Sequence, residues 1–563
     1  MTAMSSSETL RKPLIVQSDG TILLEVAHPR YQQVRDQLLH FADLVKSPEH
    51  FHTYRIGALS LWQAASVGQS PEGVLSVLHE HSRYSLPLAL QQMVLAEMNK
   101  YGSLILIPGD GCHILQGDRD LLAAIRHLPG MAAHLSGKRR VELQIKESAR
   151  GSVKRLLASY GYPVLDRIGH VQGERLSIAL RKKTLTGNAF LLRSYQQEAI
   201  ESFSAGGIGE GSGVIVLPCG AGKTVVGIGV IAKLQTNTLV LTPNVLAARQ
   251  WIRELLDKTN VSPDQVGEYT AEKKDVRPIT VTTYQMLTYR KGEEHPHFAQ
   301  LNGCGWGLII YDEVHLLPAP IFRLTADVQS TRRLGLTATL VREDGAEHDV
   351  FAMIGPKRYE VPWKAMEADG YLAQARCYEV QVKMSGEWQA RYELAAKRQK
   401  YRLASLNPAK VEVILSLLQK HRGDRVLIIG QYLEQLHDLA TRLGVPVVTG
   451  RTKLEAREEQ FRRFREGQSS VLIVSKVANV ALDLPDANVA IQISGTFGSR
   501  QEEAQRIGRI LRPNSDRSES HFYTVVTRGT VDCEMADRRQ LFLTEQGYSY
   551  RLLDAEEICL AKW

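Results

Sequence analysis

Apolar and polar positions follow three different regimes along the chain. In residues 1–116, short alternating stretches such as "PLIVQ" and "TILLEV" predict half-buried strands. Helical spacing in "RYQQVRDQLLHFADLV" and "LALQQMVLAEMNKYG" predicts helices there, closing on a strand at "SLILIP". Residues 117–183 repeat this style in miniature, with helices at "DLLAAIRHL" and "GSVKRLLASYG" and strands at "VELQI" and "RLSIAL". From residue 184 the pattern changes to short, wholly apolar runs set between helices. Residues 184–365 carry "GVIVL", "TLVLT", "ITVTT", "GLIIYDE" and "RRLGLTAT", and residues 366–563 carry "RVLIIG", "PVVTG", "VLIVS", "VAIQIS" and "HFYTVV". Strands apolar on both faces belong to parallel sheets covered by helices on each side, so an α/β class with two tandem lobes is expected after two small mixed α/β domains.

Composition narrows the picture only a little. With 44% hydrophobic and 23% charged residues in 563, the chain is globular throughout apart from its first few positions. No apolar run approaches the roughly 18 residues of a membrane helix, and the N-terminus lacks a basic segment followed by an apolar one, so a cytoplasmic protein without membrane contact is expected. Six cysteines, none in a CxxC pair, indicate neither a zinc site nor a disulfide framework. A net charge of +8 suits plain solubility as well as a polyanionic partner.

Candidate chemistry starts at "VIVLPCGAGKTVVG", residues 214–227, where an apolar strand enters a glycine-rich turn. Gly220 and Gly222 would let backbone N–H groups approach phosphate oxygens at the positive end of a helix. Lys223 would then reach the β and γ phosphates of ATP, and the Thr224 hydroxyl would hold Mg²⁺. The match is to the short GxGK[ST] form, since Leu217 stands where the longer pattern has its first glycine. "GLIIYDEVH" ends a second apolar strand in two acids: Asp312 suits a Mg²⁺ ligand, and Glu313 suits orienting and polarising a water. Thr337 and Thr339 of "GLTATL" end a third. In the second lobe, "QRIGRILRP" sets Gln505, Arg506, Arg509 and Arg512 on one expected helix, with Arg509 and Arg512 on a shared face. That face would supply arginine fingers to a nucleotide held by the first lobe, or it is an exposed basic helix.

These motifs, in this order, resemble superfamily 2 helicases, and within them the XPB family of DNA repair helicases in its bacterial form. The stretches that carry the resemblance include "LRSYQQEAI", "LPCGAGKT", "TPNVLAARQW", "TTYQMLT", "YDEVHLLPA", "GLTATLVREDG" and "SKVANVALDLPDANVAIQISGTFGSRQEEAQRIGRILRP". The resemblance implies two RecA-like parallel-sheet lobes and an ATP-hydrolysing motor that runs 3′ to 5′ on DNA, single-stranded, duplex or forked. It implies that Arg193 and Gln196 recognise the adenine side, that Gln505 lies near the γ-phosphate, and that Asp483 links nucleotide to the DNA path. It also implies that Arg342, Glu343 and Asp344 act in duplex opening, where composition alone reads a solvated charge triplet.

Residues 386–406 resemble the family's helical thumb insertion. Lys397, Arg398 and Lys400 there could neutralise phosphates, while Trp388, Tyr392 and Tyr401 would stack on bases or pack the helices. Residues 117–183 resemble a damage-recognition module, in which Tyr160, Tyr162, Lys138, Arg139 and Arg140 are candidate DNA contacts or ordinary surface and core. A monomer is expected, with a nuclease or another repair protein as a candidate partner, and the lack of the long C-terminal extension of eukaryotic relatives puts a role in a transcription factor assembly in doubt. A small-molecule kinase, an ATP-switched clamp and an RNA-unwinding enzyme are the competing readings. The paired lobes with their arginine helix, the intact Glu313, and "DEVH" with "TAT" argue against them in that order.

Overall fold

The computed structural model describes residues 12–47, 50–136, 142–168, 173–204, 211–292, 294–317, 331–339, 347–475, 487–495, 508 and 519–560. The chain divides into two compact units: residues 1–217 with 222–360, and residues 361–563 with 218–221.

The first unit begins with two small sheets. Strands β1 (Leu14–Val16), β2 (Thr21–Glu25), β3 (Asp43–Lys46) and β4 (Phe51–Arg55) form an antiparallel sheet in the order β1-β2-β4-β3. The helix expected across "RYQQVRDQLLHFADLV" covers only Tyr31–Leu38, and the remainder turns into β3. Phe41, Ala42 and Leu44 are buried at this change of direction and Leu44 pairs with Tyr54, so sheet pairing overrides the helical spacing. Strands β5 (Leu104–Gly109), β6 (Cys112–Gln116), β7 (Leu143–Ile145) and β8 (Val164–Asp166) make the second sheet, in the order β7-β6-β5-β8. Leu104, Leu106 and Leu115 pack there against Ile125, Val153 and Leu157 from the helices Arg119–Arg126 and Arg150–Ser159. The sheet therefore spans residue 116, where a domain division was expected.

"RLSIAL" does not form a strand of either sheet. Leu176 and Ile178 are buried, while the backbone of Leu176 donates to Gln235 O at 2.9 Å and that of Ala179 to the Asn260 side chain at 2.7 Å. Its alternating pattern serves to dock a strap on the first lobe. The Gln63 side chain also accepts from the Lys357 backbone at 2.9 Å, joining the first small domain to the lobe.

That lobe is a seven-stranded, all-parallel sheet of β9 (Ser212–Val216), β10 (Thr238–Thr242), β11 (Val266–Tyr269), β12 (Ile279–Thr283), β13 (Leu308–Asp312), β14 (Arg332–Thr337) and β15 (Lys357–Glu360). Its order is β11-β12-β10-β13-β14-β9-β15. The second unit repeats the plan with β16 (Gln374–Val382), β17 (Val426–Gly430), β18 (Val447–Val448), β19 (Val471–Ser475), β20 (Val489–Gln492), β21 (Glu519–Thr527) and β22 (Tyr550–Asp554), again all parallel, in the order β18-β19-β17-β20-β21-β16-β22. All ten apolar runs become strands. The four that were not expected, β11, β15, β16 and β22, lie at or next to sheet edges and carry polar residues. Among the described residues no helix is long and apolar enough to cross a membrane.

The second lobe is anchored by a buried ion pair. The Lys410 ammonium donates to Asp532 Oδ2 at 2.6 Å and to the carbonyls of Val525 and Ile493 at 2.8 and 3.1 Å, with both charged side chains at most 1% exposed. It joins the helix Ala409–Lys420 to β21, to the residue after β20 and to the helix Val531–Glu545. Replacing Lys410 with Met leaves the Asp532 carboxylate buried without its counter-ion, at an expected cost of about 3–5 kcal/mol. Calorimetric melting should show the transition of this unit at a lower temperature, and an unshifted transition would mean that the pair does not anchor the lobe.

Candidate nucleotide-hydrolysis site

The parallel order of the first lobe makes β13, β14 and β9 neighbours, with Asp312 in register with Leu336 and Thr337 in register with Val216. Three motifs far apart in sequence therefore end side by side at the C-terminal edge of one sheet, where an open α/β sheet binds its ligands. The chain leaves β9 into the glycine turn and enters the helix Lys223–Leu234. Gly220 and Gly222 have φ of 83° and 81°, a left-handed backbone that a side chain would strain. Gly222 has a second reason to lack a side chain, because a Cβ there would lie 2.6 Å from Gln196 Nε2.

Gln196 is buried on the helix Ser194–Ser204, and its Oε1 accepts from the Arg193 backbone N–H at 3.0 Å. The exposed Arg193 guanidinium donates to Tyr195 Oη at 3.2 Å. Of the expected adenine-side pair, Gln196 thus sits directly against the glycine turn, and Arg193 is joined to Gln196 through its backbone.

Lys223 points to the acids: its ammonium is 3.3 Å from Glu313 Oε1, with the two side chains 11% and 19% exposed. Thr224 follows it in the first turn of the helix, half-buried. Asp312 is almost fully buried at the tip of β13. Burial first, and the neighbouring Glu313 charge second, push its carboxyl well above the usual carboxylate range, while a hydrogen bond from Trp251 and the Lys223 charge oppose the shift. Glu313 has φ of 50°, and only Gln235 shares a left-handed backbone among the described non-glycine residues. A glutamate held in that region stores backbone strain at the point where its carboxylate must face Lys223. His315 Nδ1 lies 2.7 Å from Thr337 Oγ1 and 3.5 Å from Glu313 Oε2, tying the acid to the tip of β14. Thr337 Oγ1 in turn donates to Thr339 O at 2.5 Å, so the two threonines close a compact turn.

Sequence reasoning gave no role to two aromatic residues at this site. The Trp251 indole N–H donates to Asp312 Oδ2 at 3.0 Å, and the Tyr284 hydroxyl donates to Asp312 O at 2.7 Å. The signal for Trp251 was present in the helix after the phosphate loop: Gly227 lacks the side chain whose Cβ would stand 2.4 Å from Trp251 Cη2.

The remaining expected residues divide into two groups. Gln505, Arg509, Arg512, Asp483, Arg342, Glu343 and Asp344 lie outside the described residues, as do Lys138, Arg139 and Arg140. The thumb is described and consists of two helices, Gly386–Leu394 and Lys397–Ser405. Trp388 Nε1 donates to Leu403 O at 2.9 Å and the Tyr392 hydroxyl accepts from the Val531 backbone at 3.1 Å, so both rings help to pack the insertion. Tyr401 is buried and donates to Gly495 O at 2.6 Å. Lys397 and Arg398 are exposed, and the Lys400 ammonium lies 5.1 Å from the centre of the Tyr392 ring. Tyr160 is exposed, whereas Tyr162 packs on the core of its module.

Two RecA-like lobes, the first ending in a phosphate loop and a neighbouring acid pair, define a motor ATPase of the superfamily 2 helicase class. The family model described as ERCC3/RAD25/XPB C-terminal helicase matches residues 366–560, and one described as Type III restriction enzyme, res subunit, matches residues 189–342. A third, described as helicase conserved C-terminal domain, matches residues 14–139, which fall on the small N-terminal sheets. The chain is 48% identical over 550 residues to the DNA 3′-5′ helicase XPB of Kineococcus radiotolerans, covering 97% of each chain. It is likewise 48% identical over 549 residues to the protein of that name from Mycobacterium tuberculosis, covering 97% of this chain and 98% of that one. The general transcription and DNA repair factor IIH helicase/translocase subunit XPB of Encephalitozoon cuniculi is 33% identical over 559 residues, covering 96% of this chain and 82% of its own. The chain belongs to the XPB helicase family, whose members use ATP.

An alanine at Gly222 would have to hold a left-handed backbone, at roughly 1–2 kcal/mol, while its Cβ displaced Gln196. Gly222→Ala is therefore expected to weaken ATP binding several-fold in an equilibrium titration with a fluorescent analogue. Wild-type affinity would show that the turn does not cradle phosphate.

Proposed function

We propose that this protein is an ATP-driven DNA motor that moves 3′ to 5′ and opens duplex during DNA repair. The observation that carries the reading is the meeting of Lys223, Asp312, Glu313 and Thr337 at the adjoining ends of β9, β13 and β14. Each group has a place in phosphoryl transfer to water. The N–H groups of Gly220 and Gly222 and the Lys223 ammonium take the β and γ phosphates of ATP. Gln196 and Arg193 hold the adenine side. Mg²⁺, which the buried Asp312 carboxylate and the Thr224 hydroxyl fit as an oxygen donor pair, supplies charge neutralisation to the phosphate oxygens when bound.

Glu313 orients the attacking water and polarises it. Its carboxylate pairs with Lys223 in this structure, and a phosphate group entering the turn competes for that ammonium and frees the acid for the water. His315, bonded to Thr337, lies close to the same carboxylate, so movement of the β14 tip is felt at the acid. Sequence supports Arg509 and Arg512 as the groups that offset charge on the transferred phosphoryl, with Gln505 beside it, and Asp483 as a link to the DNA path. The exposed Lys397 and Arg398 suit DNA phosphates, and Arg342, Glu343 and Asp344 are assigned to strand separation on family grounds. We place the motor in the cytoplasm as a monomer that serves a nuclease or another repair partner.

Steady-state ATPase assays with single-stranded, duplex and forked DNA at two salt concentrations test this reading. Turnover should rise on adding DNA, and the DNA concentration needed should climb steeply with salt, because phosphates carry the affinity. Lys223→Ala should lose ATP binding and hydrolysis together, whereas Glu313→Gln should keep ATP binding and stall. Turnover indifferent to DNA would remove the motor, and hydrolysis persisting in Lys223→Ala would remove the phosphate-loop assignment.

A further inference from the structure

The helix Val245–Lys258 follows β10, which two strands, β13 and β14, separate from β9 and its glycine turn, yet one of its side chains reaches the buried acid. Trp251 is 1% exposed and directs its only polar atom, the indole N–H, to Asp312 Oδ2 at 3.0 Å. The ring lies over the helix Lys223–Leu234 at Gly227, where an added Cβ would come within 2.4 Å of Cη2, and beside Leu336 of β14, whose Cδ1 would be 3.1 Å from that same Cβ. A glycine in the interior of a helix costs stability relative to alanine, and here the missing methyl is the space the indole occupies. Tyr284, from the short helix after β12, fixes the main chain of the same residue through its hydroxyl at 2.7 Å. Two aromatic donors from different elements therefore hold Asp312, one by its carbonyl and one by its carboxylate.

We propose that Trp251 is the positioning residue for the metal-binding carboxylate. Its N–H occupies Oδ2 and thereby commits the Asp312 side chain to one rotamer, the one in which the carboxylate would be presented to Mg²⁺. The inference rests on the reading of Asp312 as the Mg²⁺ ligand. An indole N–H satisfied by a main-chain carbonyl would be ordinary core packing. One satisfied by the acid of the metal pair acts on the metal, as the partners behind metal ligands do elsewhere, where their loss lowers metal affinity by about 10- to 100-fold.

The test measures metal dependence of binding, with no turnover needed. The full-length protein is titrated with Mg²⁺ in the presence of a fluorescent ATP analogue, and analogue affinity is measured separately in EDTA. Electron paramagnetic resonance with Mn²⁺ counts bound metal directly. Trp251→Phe keeps the aromatic packing and removes the donor. It is expected to raise half-saturating Mg²⁺ by about 10-fold or more, with affinity in EDTA unchanged. Trp251→His, which restores a ring N–H in less volume, should recover part of the loss. It also guards against a Phe variant that folds poorly, as thermal melting of each protein would show.

Asp312→Asn separates the two levels of the argument. Should that variant retain wild-type Mg²⁺ dependence, Asp312 is not the ligand and the underlying reading falls. If it loses Mg²⁺ dependence while Trp251→Phe matches wild type, or if Trp251→Phe weakens binding equally in EDTA, Trp251 is core packing and the positioning role is refuted.

Discussion

A parallel sheet covered on both faces has no interior room for unpaired charge, and this constraint decides where the chemistry of each lobe can stand. In the first lobe β9, β10, β12, β13 and β14 are buried almost end to end, so ionisable groups appear where the strands stop. Because β13, β14 and β9 are adjacent, their ends place Asp312, Thr337 and the glycine turn together without any loop having to reach across the sheet. Asp312 shows the cost of that arrangement. Its carboxyl sits at the boundary of the apolar layer and is driven toward its neutral form by burial and by Glu313, and it is held by the indole of Trp251 and the charge of Lys223.

The same constraint shapes the rest of the chain. In the second lobe a buried lysine is admitted only with Asp532 and two carbonyls around it. In the N-terminal region, Arg150 donates to both oxygens of Asp166, and Lys154 lies 3.0 Å from the same carboxylate, at the edge of the second small sheet. That cluster lies beside Arg333 at the start of β14, and with the docked strap and the Gln63 contact it ties the N-terminal module to the first lobe. The motif-bearing strand β14 thus starts at a cavity that Arg333 lines together with Arg150, Lys154 and Asp166, and carries Thr337 at its other end.

Much of this was legible in sequence, for identifiable reasons. A phosphate turn needs positive φ at fixed spacing from a lysine, so "CGAGKT" carries a readable signal, and an apolar strand ending in two acids, by itself an ordinary solvated strand end, gains meaning once it is paired with that turn in one lobe. Strands buried on both faces announce themselves as unbroken apolar runs. Legibility failed where the local pattern is degenerate: "RLSIAL" alternates in the same way whether it pairs in a sheet or docks as a strap, and β3 follows a helical repeat that only its pairing with β4 interrupts. Trp251 stands in sequence as the last residue of "TPNVLAARQW", with nothing there to give its ring a partner. Its indole N–H acquires meaning only when β10, β13 and the helix after the phosphate loop are packed together.

The most direct measurement of the central claim is strand displacement on duplexes bearing a single-stranded tail at either end, with hydrolysable ATP or a non-hydrolysable analogue. The 3′-tailed duplex is expected to separate with ATP, the 5′-tailed duplex to separate little, and neither to separate with the analogue. Equal separation of both duplexes, a preference for the 5′ tail, or separation without hydrolysis would contradict a motor powered by the site at the ends of β9, β13 and β14.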